Sequence, residues 1–228
     1  PAVQRELIDA LHRAGKKIIL VNCSGSPIGL EPETQKCEAI LQAWYPGQQG
    51  GKAVAEVLFG DYNPAGKLPV TFYRNVSQLP DFEDYNMAGR TYRYMQDVPL
   101  FPFGYGLSYT TFGYGKTVLD KNELTAGQSL KLTVPVTNTG KRNGEEVVQV
   151  YLRKQGDAEG PIKTLRAFKR VSIPAGKTVN VEFDLKDKEL EWWDDQSNTV
   201  RVCPGNYDIM VGGSSKEEDL QRTTIAIK

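Results

Sequence analysis

Carboxylates are the main side chains in this sequence whose types could do chemistry. They fall in two clusters, Asp81/Glu83/Asp84 and Asp194/Asp195. Acid–base catalysis needs two carboxyl groups in separately tuned surroundings, whereas neighbours in sequence share one environment. We therefore interpret both clusters as solvated loop charges rather than as a catalytic pair.

Nucleophile and metal chemistry are poorly supported. Ser24 follows an apolar run, as a nucleophile could, but it lacks the Gly-x-Ser-x-Gly turn, and His12 is the single histidine available as a base. His12 directly follows an apolar stripe, which favours a surface or half-buried imidazole. The histidine and the three cysteines have no zinc-site spacing, so no metal and no cofactor are predicted.

The cysteines and the tryptophan pair each leave an alternative open. For Cys23, Cys37 and Cys203 we favour two or three buried free thiols, with a Cys23–Cys37 bridge as the alternative. For Trp192-Trp193 we favour core or interface packing, with an exposed platform for stacking sugar rings as the alternative.

Composition excludes several classes of function. The 228 residues are 39% hydrophobic and 25% charged, with 28 basic and 28 acidic side chains. Zero net charge gives no electrostatic footprint for nucleic acid or an anionic membrane, so neither partner is predicted. No apolar run reaches the roughly 18 residues of a membrane span, and residues 1–17 lack the apolar core of a signal peptide.

The first part of the chain has an α/β pattern. A helical stripe is formed by Val3, Leu7, Ile8, Leu11 and Ala14, and Gly15 is placed to end that helix. The apolar runs at 18–21 and 39–44 predict buried parallel strands, and a second helix follows Pro46-Gly47 and ends at Gly60. Because two or three strands leave the edges of the sheet open, we expect another segment to complete this domain. Without that segment, we expect the domain to expose apolar surface.

From about residue 112 the apolar period becomes two, which predicts an all-β domain. The alternating positions are Leu130/Leu132/Val134/Val136, Val148/Val150/Leu152, Val179/Val181/Phe183/Leu185 and Tyr207/Ile209/Val211. Turn residues separate these runs, for example Asn138-Thr139-Gly140. Short strands with one apolar face and regular turns indicate a β-sandwich of immunoglobulin-like size.

These patterns divide the chain into three parts. We predict the C-terminal half of an α/β domain over 1–74, an ordered connector rich in aromatic residues over 75–113, and the sandwich over 114–228. The connector is too apolar for a disordered linker. The predicted fold class is therefore an α/β remnant, with a partial parallel sheet and flanking helices, followed by an all-β sandwich.

Two long motifs resemble family 3 glycoside hydrolases. One runs from Tyr45-Pro46-Gly47 through Gly60-Asp61-Tyr62 to Thr71, and the other is the aromatic segment 101–112. The segments 134–140 and 144–151 resemble the fibronectin type III-like domain that closes many of these enzymes. The segment 89–94, Gly-Arg-Thr-Tyr-Arg-Tyr, looks more like the β-xylosidase branch than the β-glucosidase branch.

The resemblance implies a retaining, exo-acting hydrolase that releases sugars from the non-reducing ends of plant-type β-glycans. Such enzymes use a nucleophile and an acid/base carboxyl about 5–5.5 Å apart. In the family the nucleophile lies on an N-terminal barrel domain and the acid/base upstream of the segment matching residues 1–8. No catalytic residue is therefore assigned here, and the chain alone is expected to be inactive.

The resemblance also implies partners and a location. An oligo- or polysaccharide substrate and the N-terminal barrel domain are the expected partners, and the location is periplasmic or secreted. Asp84 and Tyr85, in the connector, are candidate residues at the border of the sugar cleft. The alternative function is a non-catalytic carbohydrate-binding or adhesion module, since β-sandwiches often bind glycans without catalysis. A nucleotide-binding α/β protein is disfavoured because the phosphate-loop glycines are absent.

Overall fold

The computed structural model describes residues 1–228 and divides into two compact units. The first unit comprises Pro1–Tyr62, Thr71–Tyr85 and Asp97–Phe101. The second comprises Asn63–Val70, Asn86–Gln96 and Pro102–Lys228. Stretches of the predicted connector therefore belong to both units, while the predicted boundaries at residues 74 and 113 stay predictions.

The first unit is a small α/β arrangement. Its elements in chain order are helix α1 (Ala2–Arg13), strand β1 (Ile19–Asn22), helix α2 (Glu31–Thr34), strand β2 (Ala39–Gln42), helix α3 (Gly50–Phe59) and a 3-10 turn at Val76–Gln78. The two strands run parallel, with Ile19 opposite Ala39. Helix α3 ends at Gly60, whose φ of 82° is readily adopted only by glycine. The predicted helices and the parallel pairing are confirmed, but the burial predicted for the two strands is wrong, because every residue of β1 and β2 is exposed or half-buried.

Apolar side chains on the outside of the first unit remain exposed, as expected for an incomplete domain. Helix α1 contains no buried residue, and Val3 and Leu7 of its apolar stripe are 68% and 61% exposed. Ile19 of β1 and Phe59 of α3 are also exposed. An amphipathic helix normally buries this stripe against a core, so these faces are suited to contact with further structure.

Ion pairs hold α1 to the loop around α2. Arg5 pairs with the buried Glu33 through Nε at 2.9 Å and donates from Nη2 to the Gly29 carbonyl at 2.7 Å. One turn farther along α1, Asp9 forms a second ion pair, with Lys36 after α2. These polar contacts tie α1 to this unit, although no residue of the helix is buried.

The second unit contains helix α4 and a two-sheet β-sandwich. The bounds are α4 (Thr91–Tyr94), β3 (Phe112–Tyr114), β4 (Val118–Leu119), β5 (Glu123–Leu124), β6 (Leu130–Asn138), β7 (Gly144–Lys154), β8 (Thr164–Ile173), β9 (Thr178–Leu185), α5 (Asp187–Leu190), β10 (Trp192–Asp194), β11 (Thr199–Arg201), β12 (Gly205–Gly212), a 3-10 turn (Glu217–Asp219) and β13 (Gln221–Ile227). One sheet has the order β5-β13-β12-β7-β8. In the other, β6 pairs with β3 and β4 and also with β9. Strands β10 and β11 form a separate antiparallel ribbon.

The sandwich core lies where the alternating pattern places it. The predicted inward positions of β6, β7 and β12 are all buried, including Val134, Val150 and Ile209. Burial on one face of each strand is the physical meaning of the period of two. The prediction of a sandwich from residue 112 onward is therefore confirmed.

Connector segments also belong to this unit. Tyr92 stacks on Phe103 with ring centroids 4.3 Å apart and meets Tyr151 edge-on at 5.8 Å. The buried Gln149 donates to the carbonyls of Gly104 and Gly213 at 3.2 and 2.6 Å. Aromatic packing and amide hydrogen bonds thus order the chain around residues 92 and 103 against the outer face of β7.

The cysteines, the single histidine and the tryptophan pair differ in how deeply they are buried. All three cysteines are free thiols as predicted, but Cys203 alone is buried, with Cys37 half-buried and Cys23 exposed, so the predicted number of two or three buried thiols is wrong. His12 is exposed on α1, within the predicted range. Trp192 is in the core whereas Trp193 is half exposed, so the packing prediction holds for Trp192. No helix has the length and apolarity needed to cross a membrane.

Candidate functional site

The carboxyl ends of β1 and β2 bring a group of hydroxyl and amide side chains together. Asn22 donates from Nδ2 to Gln42 Oε1 at 2.5 Å and to Ser24 Oγ at 3.0 Å. Gln42 donates from Nε2 to the same Ser24 oxygen at 3.2 Å. In open parallel sheets, ligands bind beyond this edge of the strands. We call Asn22, Ser24, Gln42, Trp44 and Tyr45 the strand-edge cluster.

The Ser24 hydroxyl is committed to this hydrogen-bond network. Its Oγ donates to the Ser26 carbonyl at 2.9 Å and accepts from the two amides described above. A nucleophilic serine instead donates to a base such as an imidazole. The geometry therefore fits a positioning role for Ser24 in the loop after β1.

The segment after β2 presents aromatic rings at the same edge. Trp44 has a φ of 56°, a left-handed conformation that is strained for a tryptophan, and its ring meets Phe72 edge-on at 6.1 Å. The next ring, Tyr45, is 80% exposed. It lies so close to Gly25 that a Cβ there would be 2.5 Å from Tyr45 Cε2. The glycine thus allows an exposed ring to lie against the loop after β1.

The sequence-predicted residues Asp84 and Tyr85 lie on a surface loop of the same unit. The Asp84 amide donates to the Asp81 carbonyl at 3.1 Å, and the Glu83 amide donates to Asp81 Oδ1 at 2.9 Å. Asp84 is half-buried, whereas Tyr85 is 90% exposed and Phe82 is similarly exposed. The loop therefore presents a carboxylate beside two accessible rings, a combination that suits sugar hydroxyls and sugar faces.

The second carboxylate cluster is held by local contacts in the β10–β11 ribbon. Hydrogen bonds from Ser197 and Arg201 lower the pKa of Asp194 to about 2. Asp195 accepts from the Trp193 indole nitrogen at 2.8 Å. A carboxyl group with such a low pKa is ionised at any working pH and cannot serve as a general acid.

The second unit contains a buried carboxylate that the sequence analysis did not single out. Glu146 lies 3.2 Å from Lys67 Nζ and accepts from the Tyr114 hydroxyl at 3.1 Å. Burial raises the pKa of Glu146, although Lys67 and Tyr114 act to lower it. Burial also raises the pKa of Tyr114. The signal was present in the sequence, because position 146 shares the inward-facing side of β7 with Val148 and Val150.

This carboxylate borders a cleft of about 560 Å³ in the second unit. The cleft is lined by Lys67, Tyr105, Gly106, Leu107, Ser108, Thr110, Thr111, Phe112, Tyr114, Glu146, Gly213, Ser214, Asp219 and Gln221. Lys67 neutralises Glu146 and also donates to the Gly106 carbonyl at 3.2 Å. The Glu146 charge is therefore engaged in holding the cleft wall together rather than being available to a reacting group.

Two family models match successive parts of this chain. Residues 1–109 match the glycosyl hydrolase family 3 C-terminal domain, and residues 146–215 match the fibronectin type III-like domain. The chain therefore belongs to glycosyl hydrolase family 3, a family of glycoside hydrolases, and carries its C-terminal region.

Individual relatives agree with this assignment. The chain is 56% identical to the xylan 1,4-beta-xylosidase of Xylanibacter ruminicola, over 100% of this chain and 26% of the relative. It is 39% identical to the periplasmic beta-glucosidase of Salmonella typhimurium, over 94% of this chain and 30% of the relative. A solved β-glucosidase structure from Erythrobacter marinus superposes with a TM-score of 0.86 and 41% identity, covering 99% of this chain and 30% of that one. The chain thus spans roughly a quarter to a third of these relatives.

Proposed function

We propose that this chain is the C-terminal part of a retaining, exo-acting β-xylosidase that acts on plant-type β-glycans. The observation that carries the proposal is the 56% identity with a xylan 1,4-beta-xylosidase along the whole chain. The two β-glucosidases described above are 39% and 41% identical. The Gly89–Tyr94 segment supports the same branch.

In this proposal the chain supports the active site without supplying its catalytic carboxylates. A retaining glycosidase needs two carboxyl groups about 5–5.5 Å apart, one of them with a raised pKa. Glu146 has a raised pKa but is paired with Lys67, and Asp194 has a lowered one. This distribution favours catalytic groups that lie outside residues 1–228.

The proposed partners are the polysaccharide substrate and an N-terminal barrel domain of the same enzyme. The exposed apolar faces of α1, β1 and α3 suit contact with further protein structure. The strand-edge cluster and the Asp84–Tyr85 loop offer hydroxyl, amide and aromatic groups of the kind that bind sugars. A periplasmic or secreted location is proposed, supported by the relative named as a periplasmic beta-glucosidase.

Substrate preference of the longer enzyme tests the xylosidase proposal. We expect kcat/KM for an aryl β-D-xyloside to exceed that for the matching β-D-glucoside by about tenfold or more, since one extra group in a fitted pocket costs a factor of 10 to 200. Steady-state release of the aryl alcohol measures both values. A preference for the glucoside would contradict the xylosidase proposal while leaving the family assignment intact.

Asp84 and Tyr85 remain a proposal that the same enzyme can test. If Tyr85 stacks on a bound sugar, Tyr85→Ala raises KM by about 3- to 10-fold with little change in kcat, since an aromatic contact contributes about 0.5–1.5 kcal/mol. Asp84→Ala is expected to raise KM in the same way. Phe168→Ala is the control, because Phe168 is an exposed aromatic residue in the second unit. Unchanged kcat and KM in both variants would remove these residues from the site.

A further inference from the structure

Three side chains in the second unit carry buried polar atoms without a hydrogen-bond partner. These atoms are Arg93 Nε, Thr164 Oγ1 and Arg166 Nε. Buried donors are nearly always paired because burial removes their hydrogen bonds to water. Arg93 belongs to α4, while Thr164 and Arg166 belong to β8. Unpaired buried donors on neighbouring elements leave hydrogen-bonding capacity that an acceptor from outside this chain could take up.

The backbone fixes α4 against the start of β8. The Ile162 amide donates to the Arg93 carbonyl at 2.6 Å, and the Leu165 amide donates to the Tyr92 hydroxyl at 3.1 Å. Both contacts lie within a few residues of Thr164. The two segments that carry the three side chains are thus held together by hydrogen bonds that do not involve the unpaired atoms.

A bulge in β8 directs Arg166. Leu165 lies opposite Tyr151 and Ala167 opposite Val150, so Arg166 is the extra residue between them. Bulges re-aim a side chain and occur frequently beside binding sites. The Arg166 guanidinium lies 5.5 Å from the centre of the Trp192 ring, and its Nη2 donates to the Glu191 carbonyl at 2.6 Å. One edge of the guanidinium is therefore anchored, while its buried Nε has no partner within this chain.

The two guanidinium groups are near enough to repel each other. Burial and then the charge of Arg93 lower the pKa of Arg166, and the Glu191 carboxylate opposes this with a smaller effect. Arg93 itself lies 5.6 Å from the centre of the Tyr94 ring. Two partly buried cations at one place are stabilised when an anion binds between them.

We propose that Arg93, Thr164 and Arg166 form an oxyanion-binding site that accepts a carboxylate or phosphate group. Guanidinium N–H groups match the spacing of carboxylate and phosphate oxygens, and charge-assisted hydrogen bonds of this kind are stronger than neutral ones. The Thr164 hydroxyl supplies a further donor. The site lies in the second unit and involves none of the residues of the Glu146 cleft.

The test uses the 228-residue protein labelled with ¹⁵N, with the arginine Nε–H signals observed by NMR. Sodium glucuronate probes a sugar carboxylate and inorganic phosphate probes a phosphate, with glucose as the neutral control, all at one ionic strength. We expect two Nε–H signals to shift saturably with at least one anion and with glucose not at all. A response to one anion only identifies which of the two sources the site prefers.

Variants show whether the response arises at this site. Arg166→Lys keeps the charge but removes Nε, so we expect Kd to rise about tenfold or more, since the fork of donors is lost. Thr164→Val should weaken binding with less risk to folding. Arg170→Lys, at an exposed arginine of the same strand paired with Glu145, should leave Kd unchanged.

Three results would overturn the proposal. The first is the absence of any saturable shift with either anion at about 50 mM, well above a millimolar Kd. The second is an equal response to glucose. The third is a Kd that is the same in Arg166→Lys, Thr164→Val and the unsubstituted protein, which would place the anion elsewhere.

Discussion

Replacing Asn138 with Ala is expected to lower the free energy of unfolding of the sandwich by about 3 kcal/mol, since several buried groups lose their partners. The Asn138 side chain is fully buried. Its Nδ2 donates to the carbonyls of Arg142 and Ile173 at 2.7 and 2.9 Å. Its Oδ1 accepts from Thr110 Oγ1 at 2.6 Å and from the Gly140 amide at 3.1 Å. One amide thus satisfies polar groups from three segments.

Asn143→Ala provides a matched control for this substitution. Asn143 is exposed, and its side chain accepts one hydrogen bond, from the Ala175 amide at 3.0 Å. Its replacement should cost less than about 1 kcal/mol, as is usual for a single exposed hydrogen bond. Urea unfolding followed by circular dichroism measures both variants. Equal losses of unfolding free energy in the two variants would show that the buried hydrogen bonds of Asn138 stabilise the sandwich no more than one exposed hydrogen bond does.

Replacing Lys67 with Met is expected to cost about 3 kcal/mol, since it leaves the Glu146 carboxylate buried without its cation. The Lys67 and Glu146 side chains are 15% and 5% exposed. Methionine preserves most of the aliphatic volume, so the effect reports the lost ammonium group, with its ion pair and its hydrogen bond to Gly106, rather than lost packing. Glu145→Gln is the control, because Glu145 pairs with Arg170 at the surface and such pairs contribute little. A loss no larger than that of the control would contradict the assigned role of Lys67.

The Glu146 carboxyl group also makes the stability of the folded protein depend on pH. Its folded-state pKa is raised above the ordinary value of 4.5, so the folded protein binds this proton more tightly than the unfolded chain does. The stabilisation is complete below that value and is lost as pH rises towards the folded pKa. Relative to Glu146→Gln, the unsubstituted protein should therefore lose stability as pH rises above 4.5. If the difference in unfolding free energy between the unsubstituted protein and Glu146→Gln stayed constant with pH, the raised pKa of Glu146 would be contradicted.

The strands that could be predicted from the sequence are those in which every second residue is apolar and faces the core. The alternating residues of β6, β7, β9 and β12 identified those strands because their two faces meet different surroundings. Strand β8 was not predicted, since Phe168, Lys169 and Arg170 are consecutive exposed residues and the bulge at Arg166 interrupts the alternation. Strand β13 begins with polar residues at the surface, so its pattern is weak as well.

The candidate sites were less predictable than the fold because they depend on contacts between distant positions. Asn138 was interpreted as a turn residue, and only the structure shows that its side chain joins Thr110 and Ile173. The pairing of Lys67 with Glu146 spans 79 residues and has no local signature. Asp84 and Tyr85 were proposed from the connector's position, and their accessible loop leaves that proposal open to kinetic test.

We propose that this chain carries the family's supporting region while the catalytic carboxylates lie outside it. The most direct measurement is hydrolysis of an aryl β-D-xyloside by the purified 228-residue protein. We predict release of the aryl alcohol at the rate seen in buffer alone, at every protein concentration. Saturable turnover that increases in proportion to protein concentration and is abolished by Glu146→Gln would contradict the claim and assign the chemistry to this chain.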